Sequence, residues 1–83
     1  MMPAFVPHAA LAQLLGTNHM ESNAPTVRAL VDDVKSRISP KEWDRVKRAT
    51  ILVNGVAIHR LEGLDTPLAP DDTIWMVVPS GGG

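Results

Sequence analysis

Apolar positions fall into clusters whose spacing changes along the chain. Ala4-Phe5-Val6 is a short apolar run stopped by Pro7, which predicts a first strand over residues 3–7. Leu11, Leu14 and Leu15 then follow the spacing of a single helical turn, and Gly16 suits its end. The polar stretch His19–Asn23 predicts a short edge strand. Val27, Leu30, Val31, Val34 and Ile38 recur at i, i+3, i+4, i+7 and i+11, which predicts the main helix. Thr26 is its expected N-cap, and Asp32 and Lys35 are expected to pair on its polar side.

Ser39-Pro40-Lys41-Glu42 has the pattern of a capping box with proline at the first helical position. A short second helix is therefore expected from Pro40 to about Val46, with Trp43 and Val46 or the Lys47 stem facing inward. Ala49-Thr50-Ile51-Leu52-Val53 is rich in β-branched residues and predicts a strand. Asn54-Gly55 predicts a hairpin turn, because both residues tolerate positive φ. Val56–His59 is the expected return strand. Glu62–Asp65 and Thr66-Pro67-Leu68 read as loop, and Pro70-Asp71-Asp72 as a turn. The last strand spans Thr73–Val78, with Ile74, Met76 and Val78 on one face and Trp75 and Val77 on the other. Pro79 ends it. One main helix, a short second helix and an antiparallel hairpin in this order predict an α+β roll, with the helix covering one face of a sheet.

Composition narrows the function classes. The chain has 83 residues, 45% of them hydrophobic and 20% charged, which suits one small folded domain. Cysteine is absent. That excludes a disulfide framework, a thiolate nucleophile and any cysteine-ligated metal. The net charge of −1 lacks the basic excess of a nucleic-acid binder. No apolar run approaches the roughly 20 residues of a membrane span. The N-terminus lacks the basic and apolar regions of a signal peptide, so a cytoplasmic location is expected. Met1-Met2 leaves the start ambiguous by one residue.

Conventional catalytic chemistry finds little support. His8, His19 and His59 are far apart and lack metal-ligand spacing, so each is expected to be structural or exposed. Asp71 and Asp72 are adjacent in a turn and point apart, so a turn role is expected. No serine has an accompanying base. Gly81-Gly82-Gly83 has neither the lysine nor the following helix of a phosphate loop. The tail has two readings. It is an idle or linker-derived end, or it delivers a carboxylate into a narrow slot where any Cβ would clash. Four extended residues reach roughly 13 Å.

Four segments together resemble the MoaD/ThiS family of ubiquitin-like sulfur carriers. They are Ile51-Leu52-Val53-Asn54-Gly55, Leu61–Leu68 with its Thr66-Pro67-Leu68, Asp71-Asp72-Thr73-Ile74, and Pro79-Ser80-Gly81-Gly82-Gly83. Length and the Ser39–Lys47 segment are closer to the molybdopterin synthase small subunit and the cysteine-biosynthesis carriers than to the shorter thiamine type. The resemblance implies a β-grasp, ubiquitin-like roll: a mixed sheet of about four to five strands packed on one main helix plus a short second helix. It divides the chain into a domain over residues 1–79 and a flexible tail over residues 80–83.

The resemblance further implies that a ubiquitin-activating-type enzyme adenylates the Gly83 carboxylate with ATP. The adenylate then becomes a thiocarboxylate, with sulfur from a persulfide or sulfide source, for a sulfur-accepting synthase. The chain would be a carrier with no bound cofactor, not a catalyst. Gly82 and Gly83 match the family's terminal pair, whereas Gly81 stands where many members carry Ser, Ala or Thr. Gly81 and Gly82 would thread the tail. Trp75 and Val77 either pack in a small second core or, as favoured here, form a docking surface with Pro79. A modifier conjugated to lysines through Gly83 is the alternative. A plain interaction module with an idle tail is the third reading.

Overall fold

In a computed structural model, which describes residues 2–78, three helices and five strands form an α+β roll. β1 (Ala4–Val6), α1 (Ala9–Leu15) and β2 (Met20–Glu21) come first, followed by α2 (Val27–Lys35) and α3 (Pro40–Val46). β3 (Thr50–Val53), β4 (Val56–Ala57) and β5 (Thr73–Val77) complete the sheet. The strand order is β2-β1-β5-β3-β4. β1 and β5 run parallel, and every other pair is antiparallel, so the sheet is mixed. This is the β-grasp roll that the sequence implies.

Local signals set the helix ends. The Thr26 hydroxyl accepts from the Ala29 amide. Ser39 and Glu42 satisfy each other's backbone amides at 3.1 and 2.9 Å, completing the capping box. Gly16 closes α1 at φ 76°, a left-handed conformation in which glycine carries no Cβ penalty. Asn54 and Gly55 turn the hairpin at φ 51° and 86°.

The core lies between the helices and one face of the sheet. Leu11, Val27, Leu30, Val34, Phe5, Ile74, Val53 and Met76 are buried there, with Val46 from α3. A dry gap of about 10 Å³ remains between α2, Trp43 and the sheet. That is the bare minimum for a water, and its walls offer no polar partner.

Several expectations need correction. α2 ends at Lys35, so Ile38 reaches the core from the following turn. Asp32 and Lys35 form no ion pair among the described residues. Asp33 instead pairs with Arg37 at 3.3 Å, and Lys35 lies 6.0 Å over the Trp43 ring. The helix before Gly16 is longer than the single turn expected. The return strand stops at Ala57, and Ile58–Arg60 forms a 3-10 turn that tucks Ile58 against the core. The last strand stops at Val77, and Val78 is exposed rather than inward-facing. The first two strands are shorter than expected. The loop before Thr66 contains a second 3-10 turn, Gly63–Asp65. Lys47 stays at the surface, paired with Asp44.

Candidate functional site

β5 is the central strand, and its alternation sorts its residues onto two faces. Ile74 and Met76 are buried at 0% and 4% exposure, while Trp75 and Val77 are exposed at 42% and 38%. Register continues the outer face across the sheet. Trp75 is opposite Val6 on β1 and Leu52 on β3, and Leu52 is opposite Ala57 on β4. Val6, Trp75, Leu52 and Ala57 therefore form one apolar row perpendicular to the strands. Val77 and Thr50 stand opposite each other one step further along. Trp75 does not pack into a second core, and the docking arrangement expected of Trp75 and Val77 is sterically available.

The end of the sheet beyond Val77 is where the tail residues follow. Pro79, Gly81, Gly82 and Gly83 lie outside the described residues. Two elements frame this end. β1 runs parallel to β5 and continues through Pro7 into α1. β3 begins at Thr50, opposite Val77, directly after Lys47-Arg48. Arg45 and Arg48 have no ion-pair partner among the described residues. Asp71 and Asp72 stand at the opposite end of β5.

The remaining motif residues prove to be scaffold. Asn54 Nδ2 donates to Asp72 Oδ1, and Asp72 Oδ2 accepts from the Ala69 amide, so this carboxylate shapes a turn. Thr66 is buried; its hydroxyl donates to the Gly63 carbonyl and accepts from the Glu62 amide. The Thr66 carbonyl accepts from the Val27 amide, and the Leu68 amide donates to the Pro25 carbonyl. Thr66-Pro67-Leu68 thereby splints the start of α2.

His8 has a role that spacing did not reveal. Its Nδ1 accepts from the Leu11 amide as the N-cap of α1, and its Nε2 donates to the Val46 carbonyl at 3.0 Å. One imidazole thus joins α1 to the end of α3. Its ring nitrogens are both occupied, and the described residues contain no cluster of three or more potential metal ligands. No helix among them is long and apolar enough to cross a membrane.

The model of the ThiS family matches residues 8–83. No curated protein matches the sequence. Among solved structures, the small archaeal modifier protein 1 of Methanosarcina acetivorans has a TM-score of 0.80 at 23% identity, covering 98% of this chain and 95% of that one. The BexX/CysO complex of Amycolatopsis orientalis gives 0.79 at 21% identity, covering 98% and 99%. A putative molybdopterin converting factor subunit 1 from Pyrococcus furiosus gives 0.73 at 20% identity, covering 95% and 98%. At these identities the likenesses establish the fold.

Proposed function

Since the chain belongs to the ThiS family of ubiquitin-like sulfur carriers, we propose that its cargo site is the carboxylate of Gly83. A carboxylate is a poor electrophile. Its attack on the α-phosphate of ATP, held by a ubiquitin-activating-type enzyme, releases pyrophosphate and installs AMP as a leaving group. Sulfide then displaces AMP to give the thiocarboxylate directly, or a persulfide displaces AMP to give an acyl disulfide that a thiol of the sulfur-donor enzyme cleaves, releasing the thiocarboxylate and leaving a disulfide on the donor. That sulfur is nucleophilic, and it is attached to a body that a synthase can recognise. The chain itself is the carried substrate, and its partners supply the catalysis.

The observation that carries this reading is the extent of the family match, which runs through Ser80-Gly81-Gly82-Gly83. The exposed Trp75 and Val77 support it, because they lie on the strand that leads toward those residues. In this reading the apolar row seats the carrier, with Pro79 at its margin, while Gly81 and Gly82 thread a slot too narrow for a Cβ.

Intact mass spectrometry tests the proposal. The protein is incubated with ATP, sulfide and the adenylating enzyme of its host. A gain equal to the exchange of one oxygen for sulfur, localised to the Gly83 fragment, is expected. An unchanged mass under these conditions would overturn it. The second reading is a protein modifier, favoured by the similarity to a small archaeal modifier protein. Isopeptide adducts at lysines that survive reducing agent would select it.

A further inference from the structure

We propose that His8 is a proton-sensitive joint: a proton taken up from solvent at Nδ1 releases the first turn of α1, while Nε2 keeps its hold on α3. The inference stands without any sulfur chemistry.

The two ring contacts fix one protonation state. The Leu11 amide can only donate, so the Nδ1 that accepts from it at 3.3 Å carries no hydrogen. The Val46 carbonyl can only accept, so the Nε2 that lies 3.0 Å from it carries one. Both contacts exist together only in the neutral ring with its hydrogen on Nε2. Protonation leaves the bond to Val46 in place and gives it a charged donor. At Nδ1 it sets two donors against each other, and the cap is lost.

The other helices lack this sensitivity. Thr26 caps α2 and Ser39 caps α3 through hydroxyl oxygens. α1 alone is capped by histidine, the side chain type whose charge changes near neutral pH. Its first turn holds no acidic residue to offset a positive charge at the N-terminus. At Val46 the sign reverses, because the end of a helix favours a cation. The same proton weakens one contact and strengthens the other. The ring is thus transferred toward α3, and the fold is retained.

The surroundings permit this exchange. His8 is half-buried, so solvent protons reach it. α1, β1 and β5 carry no charged side chain. α3 turns Glu42 and Arg45 toward α1, and Glu42 Oε1 is held by the Ser39 amide. Asp44 and Lys47 pair with each other, and Arg48 follows them. β1 runs parallel to β5, so His8 follows Val6 at the end of the sheet where β5 leads toward the tail. The joint therefore loosens the helix beside that end.

An NMR titration of the full chain from about pH 8 to about pH 5 tests the proposal. At the upper limit, the His8 ring nitrogens should report the neutral form with hydrogen on Nε2. As that ring takes up its proton, the Leu11 amide should lose about fivefold in protection from exchange, the factor that one helix cap contributes. The Cα shifts of Ala9, Ala10 and Leu11 should move toward coil values, while the Val46 carbonyl keeps its hydrogen-bonded shift. His8→Asn retains an acceptor that does not titrate, so its Leu11 protection should stay level over the same range. A neutral ring with hydrogen on Nδ1 would overturn the proposal, as would level Leu11 protection in the wild type. An equal fall in His8→Asn would also overturn it and assign the effect to another group, such as the exposed His19 or His59. Loss of the Val46 contact in step with the Leu11 contact would overturn it too, because the joint would then open as a whole. None of these readouts depends on thiocarboxylate formation, so this inference and the carrier reading fail separately.

Discussion

Asn54 and Asp72 lock the hairpin turn to the start of the central strand. The Asn54 amide donates to Asp72 Oδ1 at 2.8 Å, and Asn54 Oδ1 accepts from the Thr73 amide at 2.9 Å. Asn54 also occupies a left-handed conformation at φ 51°. Replacing it with alanine removes two side-chain hydrogen bonds and asparagine's greater tolerance of the left-handed region. Asn54→Ala is expected to cost about 2–3 kcal/mol in urea unfolding. Asn54→Gly, which tolerates the turn but cannot bond, should cost less. Equal losses would show that backbone strain contributes nothing.

Neighbouring residues on β5 should respond in opposite ways. Ile74→Ala empties a fully buried position and is expected to lower stability by about 2–5 kcal/mol. Trp75→Ala should change stability by under about 1 kcal/mol, yet weaken binding to the activating enzyme at least tenfold. Unfolding curves and calorimetric titration of the same two variants separate the effects.

His8 joins two helices through one ring. His8→Ala loses the α1 cap and the bond to Val46, so about 1–2 kcal/mol of destabilisation is expected. His8→Asn should recover the cap but not the link to α3. Hydrogen exchange at Leu11 should then be restored, while amides near Val46 remain less protected.

The buried Thr66 hydroxyl bonds both Gly63 and Glu62. Thr66→Val keeps the shape but leaves the Glu62 amide without its hydroxyl partner, while the Gly63 carbonyl keeps the Thr66 amide, at a cost of about 1–3 kcal/mol. Thr66→Ser should stay within about 1 kcal/mol of wild type, since it retains the oxygen.

Removal of Gly82 and Gly83 is expected to leave the melting temperature unchanged and to abolish ATP-dependent thiolation. An activity assay and a thermal melt on the same truncated protein check both halves. Thiolation that survives would place the cargo elsewhere.

The parts of this fold that were legible in the sequence are those whose cause is local. The Ser39–Glu42 capping box, the Thr26 cap and the Asn54-Gly55 turn act within a few residues, and each forms as the pattern implies. Parallel pairing of β1 with β5 joins distant segments and leaves no local mark. The link from His8 to α3 was not legible, because it depends on a carbonyl contributed by the distant Val46. Val56–His59 has strand composition, but burial of Ile58 bends the chain after Ala57. The alternation of β5 separates Trp75 from Ile74, but it cannot tell whether a second layer covers Trp75. Only the placement of all three helices settles that.

The central position of β5 also bears on how the protein is made. β1 pairs with β2 on one side and β3 with β4 on the other, and β5 alone connects these halves. A nascent chain that has not yet released Thr73–Val77 from the ribosome holds two strand pairs with no shared strand, β1 and β2 joined through α1 and β3 and β4 by the Asn54-Gly55 turn. Its core lacks Ile74 and Met76, and two-strand ribbons of this length are not stable alone. Closure of the sheet thus waits until β5 has been synthesised, with long-range contacts that close slowly. Premature termination leaves products that never acquire a sheet and are exposed to proteolysis. The strand that leads toward the tail is therefore also the one that completes the sheet.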